Sequence, residues 1–216
     1  ANITIGGTGN TYTGETAVTG GTVTLATDSG FGTTSKLSIA SGAAVQFGTH
    51  NQTVGALEVG TTASNAQNSI AGTGTLTLGT STAANGTSHI FGTNDFSGTV
   101  ALDAGHTLVL NDAAGLGAGA TVQFDSDSST VLTLSGANGG TFATNLSGDG
   151  AVNLIGSTKI AISGSNADYT GDWNLSNGST ATVSGTASIS ADDMLGKSGL
   201  VTLSGATDKL TLSQAG

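Results

Sequence analysis

The chain repeats one pattern three times: an aromatic residue, a glycine two positions later, and a second glycine nine positions after the aromatic residue. The copies are Tyr12, Gly14 and Gly21; Phe96, Gly98 and Gly105; and Tyr169, Gly171 and Gly178. Each copy lies between short apolar strand-like runs, near residues 2–25, 88–110 and 159–183. Repeats of this kind bury their apolar faces only by stacking on one another. The pattern therefore predicts a β-solenoid.

Short runs that alternate apolar with hydroxyl or amide side chains recur along the chain, such as Thr22–Leu25, Thr75–Leu78 and Thr107–Leu110. This period-2 alternation is typical of strands with one buried face, and Gly, Asn, Asp or Ser separates most of them. We expect one all-β domain over residues 1–216, a right-handed parallel β-helix of about nine or ten coils, at roughly 20–25 residues a coil. The best helical candidate is a single turn within residues 190–197.

An antiparallel β-sandwich is the alternative architecture, because it also has short strands with turn signals about every 8–12 residues. Its core usually contains several bulky aromatic side chains, and this chain has six Phe, two Tyr and one Trp in 216 residues. Proline is absent, which suits interior strands whose N–H groups all enter a ladder. These features favour the parallel β-helix.

The charge balance limits the partners that the chain can have. Only 8% of its residues are charged, and its net charge is −10. An acidic surface repels phosphate backbones and anionic membranes, so we expect neither nucleic-acid binding nor direct membrane insertion by this segment. No run reaches the roughly 18 apolar residues of a transmembrane helix, and ANITIGG does not resemble a signal peptide. The lack of cysteine fits a reducing cytosol or a secreted bacterial protein.

Candidate catalytic and metal-binding residues are sparse. Residues 28–30 read Asp-Ser-Gly, part of a serine-protease nucleophile motif, but Thr27 stands where that motif has glycine. The histidines all follow this segment, which reverses the chymotrypsin-like order; they are His50, His89 and His106. Two close acidic pairs lack the series of an EF-hand loop; they are Asp125 with Asp127 and Asp192 with Asp193. We expect no enzyme activity, no metal and no cofactor.

Three Thr-x-Thr pairs resemble the hydroxyl arrays of ice-binding solenoids; they are Thr22 and Thr24, Thr75 and Thr77, and Thr180 and Thr182. Such arrays need one pair per coil, and these pairs recur at irregular intervals. Ice binding is therefore not the expected function. The repeated aromatic residues have two interpretations, as outward rings that stack on a ligand or as structural residues that close a coil. The structural interpretation is favoured, because the following glycines allow the chain to turn.

Residues 10–23, Asn-Thr-Tyr-Thr-Gly-Glu-Thr-Ala-Val-Thr-Gly-Gly-Thr-Val, resemble the autotransporter-associated β-strand repeat. Residues 94–108 are a second recognisable copy with Phe96 in place of Tyr, and the third copy departs further, with Asp172 and Trp173 after Gly171. This repeat is typical of passenger domains that Gram-negative bacteria secrete through the type V pathway. The resemblance implies a right-handed parallel β-helix on the cell surface, exported by a C-terminal outer-membrane barrel. Because no barrel signature is present, a segment of a longer passenger is expected.

Members of the adhesin and self-associating classes of this family act in adhesion, aggregation and biofilm formation. The resemblance implies such a role here, through polar, multivalent contacts on the β-helix faces with a second copy or with a host surface or matrix receptor. The alternative is an inert stalk that aids secretion and projects a distal functional domain. A carbohydrate-active β-helix enzyme is a third hypothesis, which requires a cleft lined by three or more carboxylates.

Overall fold

The computed structural model describes residues 1–61, 69–79, 86–126, 129–136, 138–185, 195–197 and 200–214. The regular elements in these ranges are β-strands, apart from Leu195, a described residue in helical conformation within the helical turn predicted over residues 190–197. Residues 190–194 of the predicted helical turn lie outside the described residues, as do Asp127, Asp192 and Asp193.

In chain order, the first half of the described residues contains β1 (Asn2–Ile5), β2 (Thr16–Val18), β3 (Gly21–Leu25), β4 (Leu37–Ile39), β5 (Ala43–Gly48), β6 (Gln52–Val54), β7 (Leu57–Val59), β8 (Ile70–Gly72), β9 (Thr75–Leu78), β10 (Thr87–Ile90), β11 (Asp95–Phe96) and β12 (Thr99–Leu102). The second half contains β13 (Thr107–Leu110), β14 (Thr121–Phe124), β15 (Val131–Ser135), β16 (Asn138–Phe142), β17 (Asn145–Gly148), β18 (Ala151–Ile155), β19 (Lys159–Ile162), β20 (Asp168–Tyr169), β21 (Asp172–Leu175), β22 (Thr180–Gly185), β23 (Val201–Leu203) and β24 (Lys209–Gln214).

These strands form four sheets, and all their pairings are parallel. Sheet A contains β1, β3, β5, β8 and β11; sheet C contains β6, β9, β12, β14, β17 and β20; and sheet D contains β16, β19, β22 and β24. Sheet B is the longest, with the nine strands β2, β4, β7, β10, β13, β15, β18, β21 and β23. The parallel β-helix is confirmed, and the antiparallel sandwich is excluded.

A central turn of the solenoid runs through sheets A, C and B in that order, as β5, β6 and β7 do. The described strands make about seven turns, slightly fewer than the nine or ten expected. Some turns contain longer connections than the prediction assumed. The partner of Asn2 in the next turn is Thr22, whereas the partner of Glu58 in the next turn is His89. More residues therefore separate the second pair than the first.

The core fills the interior of the solenoid because side chains alternate between the two sides of each strand. In β5, Ala43, Val45 and Phe47 are buried, whereas Ala44 and Gln46 face outward. Most core residues are Val, Leu, Ile or Ala, which suit a narrow interior. Two clusters of aromatic side chains fill wider parts of the solenoid interior. Phe47 packs edge-to-face on Phe96 with ring centroids 5.9 Å apart, and Tyr169 lies between Phe124 and Trp173, with centroids 5.5 and 6.0 Å away.

Candidate interaction surface

The three repeated aromatic residues lie in different environments. Phe96 and Tyr169 are 0% exposed, whereas Tyr12 is 43% exposed on the first described turn. The Tyr169 hydroxyl lies 2.7 Å from the carbonyl oxygen of Gly150 and 2.8 Å from that of Asp172, and its single proton is shared between these two acceptors. Burial raises the pKa of this phenol well above its usual range. Phe96 and Tyr169 are therefore core residues that no ligand reaches from solvent.

The second glycine of each repeat adopts the same turn conformation. The backbone φ is 76° at Gly21, 75° at Gly105 and 78° at Gly178. These values lie in the left-handed region, where a side chain strains the backbone and glycine does not. The recurrence of glycine at this position reflects the conformation of the turn that precedes the next strand.

The first glycine of the repeat meets a different requirement, which is close approach between turns. A Cβ on Gly98 would overlap the carbonyl oxygen of Gly74, and a Cβ on Gly171 would overlap that of Gly150. At Gly14, nothing lies within 4 Å of such a Cβ. Glycine is therefore needed at two of these positions because the preceding turn passes directly beneath them.

The Asp-Ser-Gly segment at residues 28–30 lies beside a histidine. Asp28 Oδ1 is 3.4 Å from His50 Nδ1 and accepts the Asn51 N–H at 2.9 Å. Ser29 has a left-handed φ of 53°, and no hydrogen bond joins its hydroxyl to His50 within the described part of the chain. A serine nucleophile needs such a contact with its base. The Asp28 carboxylate instead connects two neighbouring turns.

A second pair, Ser88 and His106, is brought together inside the solenoid. Ser88 Oγ lies 2.8 Å from His106 Nε2 and also accepts the Leu57 N–H at 2.8 Å. The hydroxyl has one proton and a second acceptor site, so whether it donates to Nε2 or accepts from it depends on the imidazole tautomer. Among the described residues Nδ1 has no hydrogen-bond partner, and burial lowers the pKa of His106.

Both side chains of this pair are 0% exposed, so the hydroxyl acts as a link between turns and not as an accessible nucleophile. Sequence reasoning left His106 as an isolated histidine and did not single out Ser88. The signal that could have found the pair is the alternation in β10, which places Ser88 on the inward side with Ile90.

An acidic pair lies just after the C-terminal ends of β12 and β14, two central strands of sheet C. Leu102 and Phe124 are register partners, so Asp103 and Asp125 follow them in adjacent turns and line one shallow surface pocket. Desolvation, followed by the charge of Asp125, raises the pKa of Asp103. Within the described ranges, no group of three or more His, Asp or Glu side chains could hold a metal ion. The carboxylate-lined cleft of the enzyme hypothesis would need more acidic residues than this pair supplies.

Sheet B presents the longest continuous outer face. One column of register partners along its axis contains Ala17, Ser38, Glu58, His89, Val109, Thr133, Asn153, Asn174 and Thr202. Neighbours in the column interact, since Asn174 Nδ2 donates to Asn153 Oδ1 at 3.0 Å. The Thr-x-Thr pairs form no such single column, because β3, β9 and β22 belong to three different sheets.

A shallow groove crosses the first three strands of sheet B. Its lining residues are Ala17, Val18, Thr19, Ser38, Ile39, Ala40, Glu58, Gly60 and Thr61. At its edge, Lys36 Nζ lies 2.6 Å from Glu58 Oε2, and the Ser38 hydroxyl donates to Glu15 Oε1 at 2.9 Å. The hydrogen bond to Glu58 raises the pKa of Lys36.

An aromatic pair stands at one end of this groove. His89 is the register partner of Glu58, and the Phe91 N–H donates to the Val59 carbonyl at 3.0 Å. The His89 and Phe91 rings are stacked, with centroids 6.3 Å apart and an interplanar angle of 18°. The turn next to the groove therefore carries two half-buried rings, His89 in β10 and Phe91 directly after it.

Comparison with protein-family models, curated proteins and solved structures finds no match for this chain. Among the described residues, no helix is long and apolar enough to cross a membrane.

Proposed function

We propose that this chain is a bacterial cell-surface segment that mediates adhesion, aggregation or biofilm formation. The observation that carries the proposal is the column of register partners on sheet B, where six of the nine strands contribute a hydroxyl, amide or carboxylate side chain along one axis. Single contacts of these groups are weak, but many of them between two cells act together through multivalency.

The location and the partners belong to the same proposal. The resemblance of residues 10–23 to the autotransporter-associated repeat supports a position on the surface of a Gram-negative bacterium, with export through a C-terminal outer-membrane barrel. The partner is a second copy of the chain or a host surface or matrix receptor. The net charge of −10 argues against nucleic acid as a partner.

The test displays the 216-residue chain on a non-adherent bacterium through an unrelated outer-membrane anchor. Settling of the cell suspension measures aggregation, and retention on cultured cells and on immobilised matrix measures adhesion. We expect at least one of these to rise above that of cells carrying the anchor alone, and to weaken at high salt if charged side chains contribute. Cells that neither clump nor adhere would remove the support for this proposal.

The second candidate is an inert stalk. It is favoured by the continuity of sheet B, in which each strand from β2 to β23 pairs with the next, since a continuous ladder makes a rod. In this case, replacing the segment by an unrelated β-helix of equal length in a full passenger would leave adhesion unchanged. Loss of adhesion on that replacement supports the first proposal over the stalk.

A further inference from the structure

We propose that the groove on sheet B binds a neutral oligosaccharide. This inference rests on the proposed adhesive function and names the ligand class and the site. Three features carry it: a shallow floor with small residues from three strands, an aromatic pair on the next turn, and a polar edge whose charge favours neutral over anionic sugars.

The floor of the groove is low because small residues lie on or just after three successive strands. Ala17 is in β2, Ala40 and Gly60 directly follow β4 and β7, and Val18 and Ile39 are core residues that also line the groove. Neighbouring strands lie about 4.8 Å apart, so the three strands that the groove crosses, β2, β4 and β7, span roughly 10 Å. A depression of this length fits a short, extended chain of sugar rings better than a folded protein surface.

The aromatic end supplies the surface on which a sugar ring packs. Sugars have a face of C–H groups, and aromatic rings bind such faces through dispersion and weak C–H contacts. Phe91 is held in place because it packs partly against the core, and His89 is stacked on it. Since both rings are already ordered, little conformational entropy is lost when a ligand binds.

The polar edge supplies hydrogen-bond acceptors. Glu15 and Glu58 each use one carboxylate oxygen in the contacts described above, to Ser38 and Lys36, and carboxylates have further acceptor capacity for sugar hydroxyls. The edge holds two carboxylates against one lysine, in a chain of net charge −10. Sulfated, sialylated and uronic sugars are therefore repelled, and hydroxyl donors without charge are complementary.

The experiment measures binding of the purified chain to an array of neutral and acidic oligosaccharides. Calorimetry then measures its affinity for the best neutral ligand. Ala40→Gln places a longer side chain on the groove floor, and Ala44→Gln makes the same change on the outer face of sheet A. We expect Ala40→Gln to weaken binding by about tenfold or more, and Ala44→Gln to leave it unchanged. Ala17→Gln repeats the test at an exposed floor position if Ala40→Gln fails to fold. Phe91→Leu, which keeps an apolar contact and removes the ring, should also weaken binding.

The outcomes separate this inference from the proposed function. Binding to neutral oligosaccharides that the two floor variants abolish supports the groove assignment. Preference for acidic sugars, binding that the floor variants leave intact, or no sugar binding overturns it. Displayed cells that still aggregate or adhere in any of those three cases keep the proposed function. Sugar binding by the purified chain without adhesion of displayed cells supports the groove and contradicts the proposed function.

Discussion

Ser88 Oγ lies 2.8 Å from His106 Nε2 and 2.8 Å from the Leu57 backbone nitrogen, so one buried hydroxyl joins three successive turns of the solenoid. The three residues belong to β7, β10 and the turn before β13. Burial lowers the pKa of the imidazole, because a charged ring would lose its solvation without gaining a partner for Nδ1 among the described residues.

This arrangement predicts that stability falls in mild acid. The pKa of folded His106 lies below its ordinary value of 6.5, so below about pH 6.5 the unfolded chain takes up a proton that the folded chain resists. Above that pH, His106 is neutral in both the folded and the unfolded chain, so it adds nothing to the pH dependence of the free energy of unfolding. Urea unfolding at about pH 7.5 and about pH 5.5 measures how much the free energy of unfolding differs between the two pH values. The His106→Leu variant should show a smaller difference. His50→Gln, at a partly exposed histidine, is the control and should retain the difference of the parent. Equal pH dependence in the His106 variant and the parent would contradict this account.

The close approach of turns predicts unequal costs for one substitution at equivalent repeat positions. Gly171→Ala places a methyl group on the Gly150 carbonyl oxygen and should lower the free energy of unfolding by about 2–4 kcal/mol. Gly14→Ala meets no atom within 4 Å and should change it by less than about 0.5 kcal/mol. Thermal and urea unfolding of the two variants check this. Similar losses of stability in both variants would show that the position in the repeat, and not contact with the neighbouring backbone, sets the cost of the substitution.

The two tyrosines of the repeat should also differ. Tyr169→Phe removes the donor to the Gly150 and Asp172 carbonyl oxygens inside the core, and should cost about 1–3 kcal/mol of stability. Tyr12→Phe should have little effect, because its hydroxyl is at the surface and accepts one hydrogen bond, from Thr16 at 3.1 Å. Equilibrium unfolding of both variants provides the measurement. A neutral Tyr169→Phe change would mean that these carbonyl groups find other donors.

The acidic pair predicts a substitution that stabilises the chain. The pKa of folded Asp103 is raised above its ordinary value of 3.8, so the ionised carboxylate costs stability at neutral pH and this cost disappears below about pH 3.8. Asp103→Asn should therefore raise the unfolding midpoint at about pH 7 and have a smaller effect at about pH 3. Asp168→Asn removes one charge from an exposed site and controls for net charge. A gain at Asp103 no larger than that at Asp168 would argue against the pairing.

Much of the fold follows from two patterns in the sequence. Period-2 alternation identifies inward residues such as Val45 and Phe47, and the repeated glycines mark a turn whose φ stays within a few degrees. The resulting prediction of a parallel β-helix is confirmed, although the number of turns is slightly lower than expected.

Contacts between turns were not predictable in the same way. Ser88 meets His106 because of the register between β10 and β13, and that register depends on connection lengths that the repeat does not specify. The groove was missed for the same reason, since its lining residues come from three turns and are unremarkable in sequence until those turns stack. The same repeat position is exposed at Tyr12 and buried at Tyr169, because burial depends on the turns that lie above and below.

The pairing of β7 with β10 keeps its register although the chain between them is longer than in the first turns: Glu58 meets His89, and Val59 meets Ile90. The ladder therefore does not depend on a fixed connection length at this place. A foreign peptide inserted after Thr61 should therefore leave the pairing of β7 with β10 unchanged. The chain could in this way serve as a rigid carrier for epitopes, with the inserted sequence chosen independently of the scaffold.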